Sequence, residues 1–166
     1  MIYFQSYDIG FLEVPNETSL CIYLGGCSFK CDGCHSPWLW EREGKGIQAI
    51  VETIDKYKDM VSCVCILGGE DWSTLKKLFD YCHSINLKTA WYTGFRLEQI
   101  KEMLSYLDFV KTGEYNKYKG DLTKNTTNQR FFRVLKDGLL EMFFYKKEEI
   151  FFSYDELIEE RKKEND

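Results

Sequence analysis

Four short apolar runs, each stopped by glycine, constrain the fold of this chain most: Thr18 to Gly25, Val61 to Leu67 before Gly68-Gly69, Leu87 to Tyr92 before Thr93-Gly94, and Leu107 to Thr112 before Gly113. Their length and their β-branched and aromatic content mark buried strands. Between them, apolar residues recur at helical spacing: Ile47, Ile50, Val51 and Ile54; Leu75, Leu78, Phe79 and Cys82, with Ser73 as the expected N-cap; and Leu97, Ile100 and Leu104. Strands alternating with helices imply right-handed βαβ units. The expected fold is α/β, a single-domain partial (β/α) barrel or an open twisted, mainly parallel sheet, and the chain is too short for the eight-fold barrel of about 250 residues. Parallel strands put the loops at their C-terminal ends on one rim, so the segment after Gly25, Gly68-Gly69-Glu70, Thr93-Gly94 and Lys111-Thr112-Gly113 should converge there and carry the site.

Beyond a polar loop spanning 113–128, Arg130 to Leu135, Leu139 to Tyr145 and Glu149 to Phe152 read as further strands. Ser153 and Glu156 form a capping box that opens a last helix, with Leu157, Ile158 and Arg161 on successive turns. No linker or repeat interrupts the 166 residues, so residues 1–166 are expected to form one domain. With 44% hydrophobic and 30% charged residues the composition is globular. Met1 to Val14 mixes Gln5, Asp8 and Glu13 with aromatics and does not read as a secretory leader. No run approaches the roughly 20 apolar residues that cross a bilayer, so no membrane association is expected and the chain reads as soluble and cytoplasmic. The net charge of −5, with both signs interspersed, offers no basic stripe for a phosphate backbone, and no nucleic acid partner is expected.

Seven cysteines, an odd number, point to free thiols and metal ligation over a disulfide framework. Three fall in one short segment, Gly26-Cys27-Ser28-Phe29-Lys30-Cys31-Asp32-Gly33-Cys34-His35, as C-x3-C-x2-C straight after the first apolar run. Thiolates are soft ligands suited to iron-sulfur clusters or zinc. A closed site takes four protein ligands, whereas three leave one position open for chemistry. The alternative is a Cys3His zinc site using His35, but neighbouring Cys34 and His35 point apart and chelate one ion poorly. Cys21, Cys63, Cys65 and Cys82 lie on apolar faces and are expected to pack as small hydrophobes; His83 is expected to cap a helix end.

The triplet resembles the signature of the radical S-adenosylmethionine enzymes. The resemblance implies one 4Fe-4S cluster per chain on Cys27, Cys31 and Cys34, with the fourth iron chelated by S-adenosylmethionine. It also implies reductive cleavage of that cofactor to a 5'-deoxyadenosyl radical, which abstracts a hydrogen atom. Gly33, Cys34 and His35 would border the adenine through their backbone. Gly68-Gly69-Glu70 looks like the family's Gly-Gly-Glu motif, which holds the cofactor's methionine amino group; two glycines permit close approach, and a carboxylate can accept from an ammonium. No catalytic residue is implied beyond the cluster ligands.

Within that superfamily the chain most resembles the activating proteins of anaerobic (class III) ribonucleoside-triphosphate reductases. The residues that carry this are Gly26-Cys27, Cys31-Asp32-Gly33-Cys34-His35-Ser36-Pro37, Trp40, Gly44-Lys45-Gly46, Leu67-Gly68-Gly69-Glu70-Asp71, Trp91-Tyr92-Thr93-Gly94-Phe95 and Thr126-Thr127-Asn128-Gln129-Arg130. It implies a glycyl radical installed on the reductase's glycyl radical subunit, with reduced flavodoxin or ferredoxin as electron donor. Family members often carry Asp-Gly where this chain has Thr112-Gly113, which leaves the roles of Lys111 and Thr112 open. Asn128, Gln129 and Arg130 would contact cofactor or partner, or else simply lead into the strand that follows. Two alternatives stay open: a radical S-adenosylmethionine enzyme of the deazaguanine-forming kind acting on a small molecule, and a non-enzymatic metal-binding electron-transfer module.

Overall fold

The computed structural model describes residues 1–34 and 36–156. Strands β1 (Phe4–Gly10), β2 (Ser19–Leu24), β3 (Cys63–Leu67), β4 (Lys88–Tyr92), β5 (Phe109–Thr112), β6 (Arg130–Val134), β7 (Gly138–Phe143) and β8 (Glu148–Ser153) form a single eight-stranded sheet in chain order. Helices α1 (Ile47–Tyr57) and α2 (Trp72–Ser84) provide the crossovers from β2 to β3 and from β3 to β4. The four glycine-stopped runs are β2, β3, β4 and β5, all parallel to one another.

The sheet as a whole is mixed, which corrects the expectation of a mainly parallel one: β1 with β2, β5 with β6, β6 with β7 and β7 with β8 are antiparallel. For β6 to β8, chain length between strands is the reason. Residues 135–137 and 144–147 are the only links from β6 to β7 and from β7 to β8, long enough for hairpins, whereas a parallel crossover needs about a dozen residues or more. The sheet is also open, with β1 and β8 as its two edges. β1 was not expected. Its sequence, Phe-Gln-Ser-Tyr-Asp-Ile-Gly, lacks an apolar period because much of this edge strand faces solvent.

Residues alternate between the two faces of the sheet. One face buries Leu20, Ile22, Val64, Ile66, Trp91 and Val110 against Ile50, Ile54, Leu75, Leu78 and Phe79 of the helices. The opposite face buries Cys21, Cys63, Cys65, Ala90, Phe109 and Phe131, with Val14 packed over them. The helix expected around Leu97 to Leu104 is instead two 3-10 turns, Leu97–Gln99 and Lys101–Tyr106, parted where Ile100 adopts φ −112 and ψ 19. Its apolar residues are nevertheless buried, including Leu97, Ile100 and Leu104.

Helix α2 is capped by Asp71 and not by Ser73. The Asp71 carboxylate accepts from the Thr74 N–H (3.3 Å) and the Ser73 hydroxyl (3.0 Å), because the helix already begins at Trp72. The Met1 ammonium and Thr74 hold the Asp71 carboxyl far below the usual carboxylate range. The Ser153/Glu156 capping box forms, with reciprocal bonds of 2.9 and 3.3 Å. Leu157, Ile158 and Arg161, expected on the helix it opens, lie outside the described residues. Among the described residues no helix is long and apolar enough to cross a membrane.

Candidate metal centre

The parallel strands β2 to β5 end on one edge of the sheet, so the loops that follow Leu24, Leu67, Tyr92 and Thr112 share a rim, as the glycine stops predicted. The cysteine loop enters that rim through fixed backbone. Gly25 N–H donates to Tyr3 O (2.7 Å), Gly26 N–H to Glu41 O (2.7 Å) and Cys27 N–H to Leu39 O (2.9 Å). Gly26 adopts φ +78, and a Cβ there would stand 3.0 Å from the Tyr3 ring, so glycine is required for this entry. Farther along, the Phe29 ring meets Phe95 edge-on at 4.9 Å. Phe95 in turn meets Trp72 at 5.3 Å, which continues into the helix-side core. Glu70 then ties the loop to the end of β3: its Oε1 accepts from both the Ser28 N–H (2.9 Å) and the Ser28 hydroxyl (2.5 Å).

The seven cysteines, all free, divide by place. Cys21, Cys63, Cys65 and Cys82 are sealed in the core, whereas Cys27, Cys31 and Cys34 are half-exposed. Burial pushes the Cys63 thiol far above its ordinary range and the Cys82 thiol up to about 12. The Cys65 thiol is likewise raised, by its bond with Cys21, its neighbour across the β2–β3 ladder, and by burial. In the loop, Cys34 N–H donates to Cys31 O (3.1 Å), closing a turn, and Ser36 N–H donates to the Cys34 sulfur (3.3 Å). Partial burial raises the Cys31 thiol, opposed by a backbone hydrogen bond from Tyr115.

Among the described residues no set of three or more His, Cys, Asp or Glu side chains converges tightly enough to hold a single metal ion. An iron-sulfur cluster takes each thiolate on a different iron, so it suits sulfurs spread along a loop better than one ion does. The donor set fits a cluster in kind as well: three half-exposed thiols, two of them already accepting backbone N–H bonds. His35, expected at the cofactor and weighed as a zinc ligand, lies outside the described residues.

The glycines do different work from one another. Gly33 lies exposed at φ +75, with a Cβ position 3.0 Å from that of Lys117, whose ammonium pairs with Asp32 at 2.8 Å. At Gly68 (φ +91) a Cβ would meet Leu24 O at 2.9 Å, and the Gly68 carbonyl accepts from Trp91 Nε1 at 2.8 Å. At Gly69 (φ +90) it would meet Leu24 Cδ1 at 2.9 Å and Leu75 at 3.4 Å. The paired glycines thus let the chain turn over its own core; a side chain at Gly69 would collide with Leu24 before reaching any ligand. A cavity of about 390 Å³ is bordered by Gly25, Gly26, Gly69, Glu70 and Arg42, a volume in the range of small-molecule sites.

Sequence reasoning left Lys111 and the Asn128-Gln129-Arg130 triplet without definite roles. Asn128 Nδ2 donates to Glu114 O (3.0 Å) and Gln129 Nε2 to Gly113 O (3.4 Å), so both amides brace the loop after β5, which carries the Tyr115 N–H onto Cys31. Arg130 instead forms a largely buried, two-pronged pair with Glu141 of β7 (Nε to Oε1 3.0 Å, Nη2 to Oε2 2.6 Å) and stacks on Phe132. Lys111 is buried at the rim, its ammonium bonded to the carbonyls of Thr93 (3.1 Å) and Gly113 (3.2 Å). A lysine in an otherwise apolar strand was the available signal.

Among known proteins, a family model described as a 4Fe-4S single cluster domain matches residues 17–135, from the approach to β2 to just beyond β6. No curated protein and no solved structure matches the chain. The matched span contains the whole cysteine loop and every loop of the rim around it, and it takes in well over half of the chain. The chain therefore belongs to the 4Fe-4S single cluster domain family and is an iron-sulfur protein.

Proposed function

We propose that the protein is a radical S-adenosylmethionine enzyme that installs a glycyl radical on a partner, the anaerobic ribonucleoside-triphosphate reductase. One observation carries most of this reading: Glu70 of the Gly-Gly-Glu turn is bonded twice to Ser28, between the first and second cysteines of the triplet. Two motifs 42 residues apart, of which Gly-Gly-Glu is weak alone, thereby meet at one rim. In this reading Cys27, Cys31 and Cys34 hold the cluster, and the cavity between Gly26 and Gly69 receives the sulfonium cofactor. When bound, the cluster supplies one low-potential electron whose delivery to the sulfonium starts hydrogen abstraction.

The chain's own residues then have defined tasks. Glu70 keeps Oε2 for the cofactor's amino group while Oε1 fixes the loop through Ser28. Asn128 and Gln129 hold the loop that presents the Tyr115 N–H to Cys31. The open edge beside them, a groove of about 420 Å³ lined by Asn128, Gln129, Arg130 and Phe143 among others, admits a glycine-bearing segment of the partner. Reduced flavodoxin or ferredoxin would deliver the electron.

The test is anaerobic reconstitution with iron and sulfide, reduction, and addition of S-adenosylmethionine. The expected product is 5'-deoxyadenosine, absent in Cys31→Ala protein, with a glycyl radical signal once the reductase is added. Cofactor cleavage with no radical on the reductase would favour the small-molecule enzyme. A loaded cluster with no cleavage at all would favour an electron-transfer module.

A further inference from the structure

The sheet face opposite the helices carries one charge in an apolar row. Tyr23, Leu67, Tyr92, Lys111, Phe131 and Met142 stand in register across β2 to β7, the row nearest the rim on the parallel strands. Lys111 is 9% exposed, and its ammonium lies 5.7 Å from the centre of the Tyr92 ring. Its two acceptors, Thr93 O and Gly113 O, are neutral, and no carboxylate among the described residues pairs with it. A buried cation without an anion is costly, so such a residue points to a negative charge that the polypeptide itself does not supply.

The position of Lys111 indicates where that charge sits. The two carbonyls it grips belong to the loops on which the cysteine loop rests. Gly94 and Phe95 lie against Phe29, while Tyr115 and Lys117 lie against Gly33, with the Tyr115 N–H on Cys31. Burial draws the Lys111 ammonium down to about 8, and the largest opposing influences come from Cys31, Cys27 and Cys34, in that order.

We propose that Lys111 is the built-in counter-cation of the iron-sulfur cluster on Cys27, Cys31 and Cys34, and that its charge makes the cluster easier to reduce. The inference rests on the ligand assignment above. A cluster held by three thiolates is anionic and gains a further negative charge on reduction, so a fixed cation beside its ligand loop favours the reduced state. Lys111 acts through the cluster's electrostatics and touches no substrate.

The experiment is a potentiometric titration of the reconstituted cluster, followed by electron paramagnetic resonance, in wild-type, Lys111→Gln, Lys111→Met and Lys111→Arg protein. Gln retains an N–H donor for the loop carbonyls without the charge, Met retains neither, and Arg retains the charge. The expected result is a midpoint shifted to more negative potential in Gln and Met and restored towards wild type in Arg. Loss of cluster loading in Gln and Met with retention in Arg supports the same role. A wild-type midpoint in Lys111→Gln, or equal loss of loading in all three variants, overturns it and leaves Lys111 as a loop tether. Iron content separates the other failure: wild-type protein that takes up no cluster, or Cys31→Ala protein that keeps one, overturns the ligand assignment before any potential is measured.

Discussion

Cys27, Cys31 and Cys34 sit on a loop held from outside, by Glu70, Tyr115 and the Phe29–Phe95 contact, whereas Cys21, Cys63 and Cys65 sit on strands held by their own ladder. The same side chain has opposite prospects in the two places. On the strands, burial raises the Cys63 thiol, and the bond with Cys21 together with burial raises the Cys65 thiol, well above the ordinary range, and a protonated, enclosed thiol neither ligates nor reacts. In the loop the cysteines are half-exposed, and two of their sulfurs already accept backbone N–H bonds that would serve a thiolate equally well. Surroundings, more than cysteine count, separate ligand from filler.

The largest effect should come from breaking the loop group. Replacing any one of Cys27, Cys31 or Cys34 by Ala is expected to abolish nearly all cluster iron, since each thiolate anchors a separate iron. Iron and sulfide analysis after anaerobic reconstitution reads this directly. Full iron in any one of the three variants would remove that cysteine from the ligand set.

A smaller effect should follow from loosening the loop while keeping its thiols. Glu70→Ala removes the acceptor of both Ser28 bonds, so the loop is expected to open more often and a loaded cluster to yield iron to a chelator several-fold faster than in wild type. Faster amide exchange at Ser28 should accompany it, with exchange on β3 unchanged. Unaltered iron release would show that the Phe29–Phe95 contact and the loop base suffice.

The loop group was readable in the sequence because three cysteines in one segment outnumber what packing needs. The strand group was readable because Cys63 and Cys65 alternate within an apolar run. What joins Ser28 to Glu70 was not readable: the bond depends on two loops meeting at the rim, and neither residue shows that alone. The parallel strands β2 to β5 follow from their glycine stops. The expectation of a mainly parallel sheet fails at β6 to β8, where the short links 135–137 and 144–147 already exclude crossovers. Gly69 was expected to border the cofactor's methionine, and the structure turns its missing Cβ towards Leu24, so Gly69→Val tests folding more than binding.

From the other side of the comparison, Cys63→Ala should leave cluster iron intact. It should cost on the order of 1 kcal/mol, the usual scale for losing a small buried group. Denaturant unfolding alongside iron analysis checks both halves, and iron loss equal to that of the loop variants would erase the distinction between the groups.

The smallest effect is a pH drift in stability from the core thiols, and Cys82 shows its sign. Folded, this thiol is raised to about 12 by burial; unfolded, it titrates near its ordinary value of about 8.5. The folded state therefore keeps a proton that the unfolded state releases. Its contribution is fully present below about pH 8.5 and is lost progressively as pH rises towards 12. At pH 9 the loss should be somewhat under about 1 kcal/mol. Other groups titrate in the same window, Lys111 among them with the opposite sign, so the measurement is a difference: Tm of wild type minus Tm of Cys82→Ala, under reducing anaerobic conditions, from pH 7 to pH 9.5. The gap should narrow as pH rises. A gap that stays constant would mean that the Cys82 thiol is no harder to ionise in the fold than out of it, and that burial alone does not set the core cysteines apart from those of the loop.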